Sequence, residues 1–179
     1  MSKIFQSLEA EHREFIEKQK LFFVGTAMAE GYLNISPKGM DSLRVINSNR
    51  VIWLNMTGSG NETATHVPRQ PRMTIMFCAF EGKPLILRLY GEAKVYHTRD
   101  PQWKEYIDSF PFVASARQVF DVDITKVQTS CGFGIPLMEF KGDRGLMQDW
   151  ALKKGPQGVK EYWEKKNMTS LDGFDTGIF

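Results

Sequence analysis

The strongest constraint on the fold is the stretch from Leu85 to Tyr96, in which apolar and polar side chains alternate. Successive side chains of a β-strand point to opposite faces, so this alternation predicts a long strand with one buried face. Gly91 lies midway along it, where the missing side chain permits a kink or a bulge. A strand of this length suits a barrel, whose strands curl and change neighbours.

Strand-like segments dominate the chain from about residue 20 to residue 96, and one more lies near residue 125. Helical spacing predicts helices over 4–17, 101–110 and 112–120, and two more after a cap at Asp143, separated by Gly155-Pro156. Pro37 is expected to end its strand, because proline lacks a ladder donor. Hairpin-like strands with helices segregated to the ends predict an antiparallel α+β fold and argue against a doubly wound nucleotide fold.

The length of 179 residues fits a single domain, 1–179, with an N-terminal helix and a helical C-terminal extension. The net charge of +2 gives no electrostatic case for nucleic acid or an anionic membrane. No apolar run is long enough to span a bilayer, and no apolar signal segment opens the chain, so we expect a cytoplasmic protein. Its two cysteines and three histidines have no disulfide or metal-site spacing, so no metal is expected.

A glycine-rich segment, Gly58 to Thr63, separates the apolar run 51–54 from the helical pattern that begins at residue 64. Ser59 and Glu62 have the spacing of a capping box at a helix entrance. Gly58 and Gly60 let a ligand approach the backbone closely, and the free N–H groups of a helix start attract anions. The segment therefore predicts a phosphate cradle for a nucleotide-type cofactor, the alternative being an ordinary capped helix.

Two charged residues near this segment in sequence, Lys38 and Arg44, end or interrupt apolar strands. If adjacent strands pair, both could face the same anion; the alternative is that both are solvated surface charges. The glycine segment lacks the lysine of a P-loop and the βαβ context of a Rossmann fingerprint. The sequence assigns no catalytic residue.

Several motifs follow one another along the chain: Asn34-Ile35-Ser36-Pro37-Lys38-Gly39, Arg44-Val45, Gly58-Ser59-Gly60-Asn61-Glu62-Thr63 and Leu87-Arg88-Leu89-Tyr90-Gly91-Glu92-Ala93. In this order they resemble the pyridoxamine 5′-phosphate oxidase-related, FMN-binding split-barrel family. Two further stretches, 128–136 and 167–173, resemble motifs of one branch of that family. The resemblance covers about residues 20 to 175.

The resemblance implies a six-stranded antiparallel split β-barrel and a homodimer with FMN held noncovalently at its interface. By analogy, Arg44 pairs with the FMN phosphate, the segment 59–63 grips that phosphate, and the residues at 38–39 border the flavin. The residues at 128, 130 and 131 would reach the flavin ring from the other subunit. The cofactor-binding residues implied in this way are Lys38, Gly39, Arg44, Ser59, Gly60, Asn61, Glu62, Thr63, Gln128, Ser130 and Cys131.

Two departures from the family pattern bear on function. The oxidases proper carry a lysine in the phosphate loop, whereas here binding would rely on backbone N–H groups, hydroxyls and Arg44. The carboxylate of Glu62 would then turn back onto the backbone, as the capping box requires. The oxidases also end in an arginine-rich segment that binds the vitamin phosphate, whereas the residues from Gly173 to Phe179 include no arginine.

The main hypothesis is therefore an FMN-dependent oxidoreductase acting on a small organic substrate, with O₂ or a nicotinamide as the second redox partner. One alternative is the pyridoxamine/pyridoxine 5′-phosphate oxidase itself. Another is a flavin-binding or carrier protein without turnover. A third, a related haem-binding or haem-degrading protein, is weakened because the sequence offers no favoured histidine ligand.

Overall fold

The chain folds into a single antiparallel sheet with helices on its periphery. The computed structural model describes residues 2–179 and contains, over that range, eight strands and four helices. The strands are β1 (Lys3–Phe5), β2 (Phe22–Thr26), β3 (Asn34–Lys38), β4 (Leu43–Asn47), β5 (Arg50–Met56), β6 (Arg72–Cys78), β7 (Ile86–His97) and β8 (Ala116–Ser130). The helices are α1 (Ala10–Lys18), α2 (Glu62–Arg69), α3 (Pro101–Ile107) and α4 (Leu146–Lys166).

The strands pair in the order β3-β2-β6-β7-β8-β5-β4, and β1 adds to β8 outside this path. Every pairing is antiparallel. The predicted fold class, an antiparallel split barrel with peripheral helices, is confirmed, with eight strands in place of the six expected. The chain is folded so that β3 and β4 are the two ends of the sheet path, and the candidate site lies beside one of them, β3.

The irregularity predicted at Gly91 in the long strand β7 is present as a bulge, and its extra residue, Thr125, lies on β8. The register between β7 and β8 shifts between Tyr90 and Gly91. A Cβ atom on Gly91 would overlap the carbonyl oxygen of Asp123, so the close approach of the two strands requires glycine there.

Three predictions about local structure were wrong. Residues Lys3–Phe5 form a short strand, and the first helix begins only at Ala10. Pro37 lies inside β3, because β3 is an edge strand in which a missing ladder donor is tolerated. Asp143 does not cap α4, whose N-cap residue is Gly145.

The predicted helix over 112–120 was also wrong, because Ala116 onward belongs to β8. Both faces of this part of the strand are covered. Phe120 stacks on Trp53 inside the barrel with ring centroids 4.5 Å apart, while Val119 packs with α3 on the outer face. A strand buried on both faces loses the alternation that distinguishes it from a buried helix.

The predicted break at Gly155-Pro156 is present as a kink within α4, where Gly155 has a φ of 67°. Within residues 2–179, no helix combines the length and the apolar character needed to cross a bilayer. The segment after α4 returns to the barrel and packs beside the turn that precedes α2, where it forms part of the candidate site.

Candidate functional site

A cavity of about 620 Å³ lies beside the glycine-rich segment. Its walls come from β3, the end of β5, the turn 58–61, the first residues of α2, the start of β8 and the segment that follows α4. The side chains of Lys38, Asn61 and Arg117 line it together with the residues from Gly58 to Thr63. The structure thus brings Lys38 and the segment 59–63 together, as the sequence predicted.

The carbonyl groups of the glycine turn are held from one side. Asn167 Nδ2 donates to the carbonyl oxygens of Gly58 at 3.0 Å and Ser59 at 3.5 Å. Arg117 Nη1 donates to the carbonyl oxygen of Gly60 at 3.0 Å. The backbone N–H groups from Gly58 to Asn61 have no hydrogen-bond acceptor within residues 2–179. These donors precede a helix start and are available to an anion.

The predicted capping box is absent. Asn61 is the N-cap residue of α2, and no side chain caps the helix there. The carboxylate of Glu62 instead accepts the backbone N–H of Leu171, with a distance of 3.0 Å from Oε2 to the nitrogen. Glu62 was expected to turn back onto the helix start, and this expectation is wrong, because its backbone partner lies in the segment after α4. The tertiary contact replaces the local one.

The side chain of Asn61 is buried without a partner. Only 2% of the residue is exposed, and neither Oδ1 nor Nδ2 has a hydrogen-bond partner within the described part of the chain. Buried polar side-chain atoms are nearly always hydrogen-bonded, so an unpaired amide on a cavity wall indicates a polar ligand. Asn61 is thus a second, independent indication of a binding site at the start of α2.

Among residues 2–179, Lys38 is one of three cationic residues that line the cavity; of the other two, Arg117 is buried and Lys166 is exposed. Its Nζ donates to Asn55 Oδ1 at 3.1 Å and lies 5.1 Å from the ring centroid of Trp53. Burial, reinforced by the positive charge of Arg117, lowers the pKa of Lys38 to about 8. The cavity therefore holds a lysine that is easily deprotonated and that a neighbouring anion would stabilise in its charged form.

Arg117 is the most deeply buried of these cations and is only 3% exposed. Besides the carbonyl of Gly60, its guanidinium donates to Asn167 Oδ1 at 2.8 Å and to Gln118 Oε1 at 3.2 Å. Burial lowers the pKa of Arg117 to about 10, which leaves it charged at neutral pH. The salt bridges of residues 2–179 include neither Arg117 nor Lys38. Two partly or fully buried cations without a carboxylate partner favour an anion in the cavity.

Arg44 does not join this site within one chain. It lines a second cavity of about 400 Å³, as does Gly39. Its guanidinium binds both carboxylate oxygens of Asp41 at 2.7 and 2.9 Å, and its Nε donates to the carbonyl of Ser109 at 2.8 Å. The expectation that Arg44 and Lys38 face one anion is therefore wrong within a single chain.

The register of β4 on β5 explains the position of Arg44. It pairs with Ile52, and cross-strand partners share a face of the sheet. Ile52 packs on the outer face beneath α3, where the guanidinium of Arg44 lies 5.0 Å from the ring centroid of Phe110. Lys38 instead points toward Trp53, on the side of the barrel interior.

The remaining predicted site residues lie at the opposite end of β8. Gln128 accepts a hydrogen bond from the hydroxyl of Tyr90 at 2.8 Å, and Ser130 accepts one from Arg88 at 3.2 Å. Cys131 is exposed. With a rise of about 3.3 Å per residue, Gln128 lies about 36 Å along the strand from Arg117. One chain does not bring them to the cavity, and their contact with a flavin from a second subunit stays a prediction.

Sequence reasoning missed Arg117 and Asn167. Arg117 fell in the stretch predicted to be a helix, where an arginine is unremarkable. In a buried strand the same residue demands a partner, and that signal is visible once the strand is assigned. Asn167 belonged to a motif of the resemblance, but only the folded chain connects it to the glycine turn.

The sheet is an antiparallel split barrel, and a polar cavity lies beside the turn that precedes α2. These features define the class of this protein as a split barrel with a candidate ligand site. A family model described as pyridoxamine 5′-phosphate oxidase matches residues 8–131. The chain belongs to this family.

Known proteins similar to the chain include one curated relative and several solved structures. The pyridoxamine 5′-phosphate oxidase family protein ustO of Aspergillus flavus is 34% identical over 97% of this chain and 77% of its own length. A variant of HupZ from Group A Streptococcus has a TM-score of 0.56 at 19% identity, over 68% of this chain and 98% of its own. The FAD binding protein from Mycobacterium smegmatis has a TM-score of 0.51 at 13% identity, over 69% of this chain and 96% of its own. These two structures support the fold.

Proposed function

We propose that the protein is an FMN-binding oxidoreductase that holds the phosphate of FMN in the cavity beside the glycine turn. The observation that carries the proposal is that one cavity is lined by two cations without carboxylate partners, Lys38 and Arg117, and by the glycine turn with its unpaired N–H groups. Membership in the pyridoxamine 5′-phosphate oxidase family supports a flavin, as does the structural likeness to the FAD binding protein from Mycobacterium smegmatis.

The residues present fit a phosphate monoester. Its oxygens accept hydrogen bonds, which the backbone N–H groups of the turn and the amide of Asn61 can donate. Its negative charge would compensate Lys38 and Arg117, whose burial is otherwise unfavourable. The hydroxyl of Thr63, which lies 3.4 Å from Asn34 Nδ2, lines the same wall. Arg117 and Asn167 hold the turn in place, and Lys38 provides the charge that faces the phosphate.

When bound, FMN would supply hydride or electron transfer at its isoalloxazine ring. The chain's own part is to bind, to orient and to set the local charge. Asn55 fixes the amine of Lys38 at 3.1 Å, and Gln118 in turn receives Asn55 Nδ2 at 2.9 Å, so the lysine is positioned by a buried amide chain. These contacts give the cofactor phosphate a rigid anchor.

The family resemblance implies FMN, whose terminal group is a phosphate monoester. A monoester carries about −1.5 to −2 charges at neutral pH, comparable to the two partly or fully buried cations of the cavity. FMN is therefore the flavin we expect, with riboflavin as the ligand that lacks the recognised group. The test is a fluorescence titration of the purified protein with FMN, FAD and riboflavin. Equal affinity for FMN and riboflavin would refute the phosphate site.

We further propose a homodimer. Large apolar side chains are exposed along the segment 131–145 after β8, and Phe133 is 81% and Leu137 79% exposed. Exposed apolar clusters of this kind favour burial against a partner. Gln128, Ser130 and Cys131 directly precede or begin this segment. If two chains associate through it, each chain would bring these three residues toward the flavin of its partner.

Two of the three alternatives from the sequence, the vitamin oxidase and the flavin carrier, are separated by turnover. Oxidation of pyridoxine 5′-phosphate or pyridoxamine 5′-phosphate to the aldehyde, with O₂ consumed, would identify the vitamin oxidase. We expect no such product. Reduction of the bound flavin by a nicotinamide, without turnover of any organic substrate, would indicate a carrier or reductase.

A further inference from the structure

The segment 167–176 after α4 forms a closed loop on the wall of the anion cavity. The backbone N–H of Thr176 donates to the carbonyl of Met168 at 3.0 Å, and that of Ser170 donates to the carbonyl of Phe174 at 2.9 Å. Thr169 and Asp175 form an antiparallel bridge. The loop is thus held closed by hydrogen bonds between its own residues, in addition to its contacts with the barrel. We call residues 167–176 the C-terminal loop.

Asn167, at the base of this loop, is fully buried, and both its side-chain amide and its backbone carbonyl are hydrogen-bonded. Its Oδ1 receives Arg117, its Nδ2 reaches the carbonyls of Gly58 and Ser59, and its backbone oxygen receives Thr176 Oγ1 at 2.6 Å. It is not among the residues that line the cavity. Asn167 therefore joins the C-terminal loop, Arg117 and the glycine turn.

This arrangement orients the donors of the turn. In a trans peptide, the C=O and the N–H of one peptide unit point in opposite directions. Because Asn167 holds the carbonyl of Gly58, the N–H of Ser59 is directed away from Asn167. The contact of Arg117 with the carbonyl of Gly60 directs the N–H of Asn61 in the same manner. The unpaired, buried side chain of Asn61 independently points to a ligand at these donors.

We propose that Asn167 is a positioning residue for the anion site, and that the C-terminal loop and a bound phosphate group stabilise one another. Glu62 gives the loop a second attachment to the same site, since the first residue of α2 accepts the N–H of Leu171. Both attachments depend on the turn keeping the conformation that an anion would stabilise. Coupling of this kind is reciprocal: the loop raises anion affinity, and the anion raises the stability of the docked loop.

The inference rests on the proposed FMN site, so its test compares a ligand with the phosphate to one without it. Asn167→Ala is expected to weaken FMN binding about tenfold, as loss of hydrogen bonds that hold the donors predicts, and riboflavin binding much less. Asn167→Asp retains an acceptor for Arg117 and cannot donate to the carbonyls of Gly58 and Ser59. It is a near-isosteric second variant should Asn167→Ala fold poorly, and we expect the same selective loss.

The matched control is Asp172→Ala. Asp172 lies on the same loop but accepts the backbone N–H of Tyr32 at 3.2 Å, far from the turn in the hydrogen-bond network. Its loss removes a contact with the connection between β2 and β3 and leaves the contacts of Asn167 and Glu62 with the site in place, so the ratio of FMN to riboflavin affinity is expected to be unchanged. Equal losses for both flavins in the Asn167 variants, or a selective loss in Asp172→Ala, would overturn the positioning role.

Amide hydrogen exchange of the C-terminal loop tests the reciprocal effect in the wild-type protein. FMN and inorganic phosphate are each expected to slow exchange at Leu171 and its neighbours, riboflavin is not, and the effect should disappear in Asn167→Ala. If FMN binds no better than riboflavin while inorganic phosphate still slows exchange in an Asn167-dependent way, the proposed function fails and this inference stands. If FMN binds selectively but leaves loop exchange unchanged, the proposed function stands and this inference fails. If neither FMN nor phosphate has an effect, both fail.

Discussion

Arg117 Nη1 donates to Asn167 Oδ1 at 2.8 Å, and this bond joins the start of β8 to the residue that ends α4. The two residues lie 50 positions apart in the chain and are both buried. Each also contacts the carbonyl side of the glycine turn, so the turn is held between the two. The glycine turn and the two residues that hold it therefore come from three separate regions of the sequence.

Replacing Lys38 with methionine removes a cation while keeping a long unbranched side chain. We expect FMN to bind about 1–3 kcal/mol more weakly, the range for a hydrogen bond to a charged group, with little change for riboflavin. Flavin fluorescence titration measures both. Lys126, an exposed lysine of β8, is the matched control, and Lys126→Met should leave both affinities unchanged. Loss of riboflavin binding equal to that of FMN would instead indicate general damage to the fold.

The affinity for FMN should depend on pH because burial lowers the pKa of Lys38 to about 8. Above this value the lysine of the free protein is neutral, so binding the anion requires proton uptake and affinity falls as the pH rises. Below about pH 6 the phosphate monoester loses its second charge, which lowers affinity on the acid side. Titrations from about pH 5 to about pH 9.5 are expected to give a maximum between these limits. In Lys38→Met the alkaline decline should disappear.

The same group affects the stability of the flavin-free protein. The folded-state pKa of Lys38, about 8, lies below its ordinary value of 10.5, so the unfolded chain binds more protons between these values. The contribution of Lys38 to the free energy of unfolding therefore rises with pH across this window, and it is least favourable below pH 8. Lys38→Met should unfold at higher urea concentration than the wild type at about pH 7, and the difference should shrink toward about pH 10. A variant that is less stable than the wild type at neutral pH would contradict this account.

Arg44→Ala distinguishes the role that the family resemblance implies for Arg44 from the role that its contacts in the structure indicate. The resemblance pairs Arg44 with the FMN phosphate, but in the structure its guanidinium binds Asp41, the carbonyl of Ser109 and the ring of Phe110. We expect a loss of about 1 kcal/mol in the free energy of unfolding, typical of a partly exposed ion pair with an added hydrogen bond, and unchanged FMN affinity. Urea denaturation and flavin titration report the two effects. A selective loss of FMN binding would mean that Arg44 reaches a phosphate in the partner subunit.

Gly91→Ala tests the bulge in the pairing of β7 with β8. The added Cβ would overlap the carbonyl oxygen of Asp123, so the two longest strands must separate locally. Overpacking of this kind costs about 1–3 kcal/mol, and backbone is less able to yield than a side chain. Thermal unfolding measures the loss, with Gly134→Ala as the control, since a Cβ at Gly134 would meet no atom within 4 Å. Equal stability of the two variants would show that the bulge tolerates a side chain.

The proposed dimer predicts that charge on the segment after β8 separates the subunits. Phe133→Glu introduces a carboxylate at a side chain that is 81% exposed in the single chain, so its folding should be little affected. Light scattering should give a dimer for the wild type and a monomer for the variant, with reduced flavin content. A wild-type monomer with full flavin content would exclude a site shared between subunits.

Local patterns in the amino-acid sequence were sufficient to predict the architecture and part of the site. The alternation along β7, the bulge at Gly91 and the order of strand-like segments are such patterns, and each is present in the structure. Lys38 and the residues from Ser59 to Thr63 also line one cavity, because a turn and the strand beside it bring them together.

The other groups that complete the site are set by the way the whole chain packs. Tertiary contacts turn Glu62 to Leu171 in place of a local cap, aim Arg44 at α3, and bring Arg117 and Asn167 to the glycine turn. The physical reason is that strand register fixes the face on which a side chain lies, and a shift by one residue reverses it. Neither the register of β4 nor the return of the C-terminal loop is encoded in a short pattern. Both follow from the packing of the whole barrel.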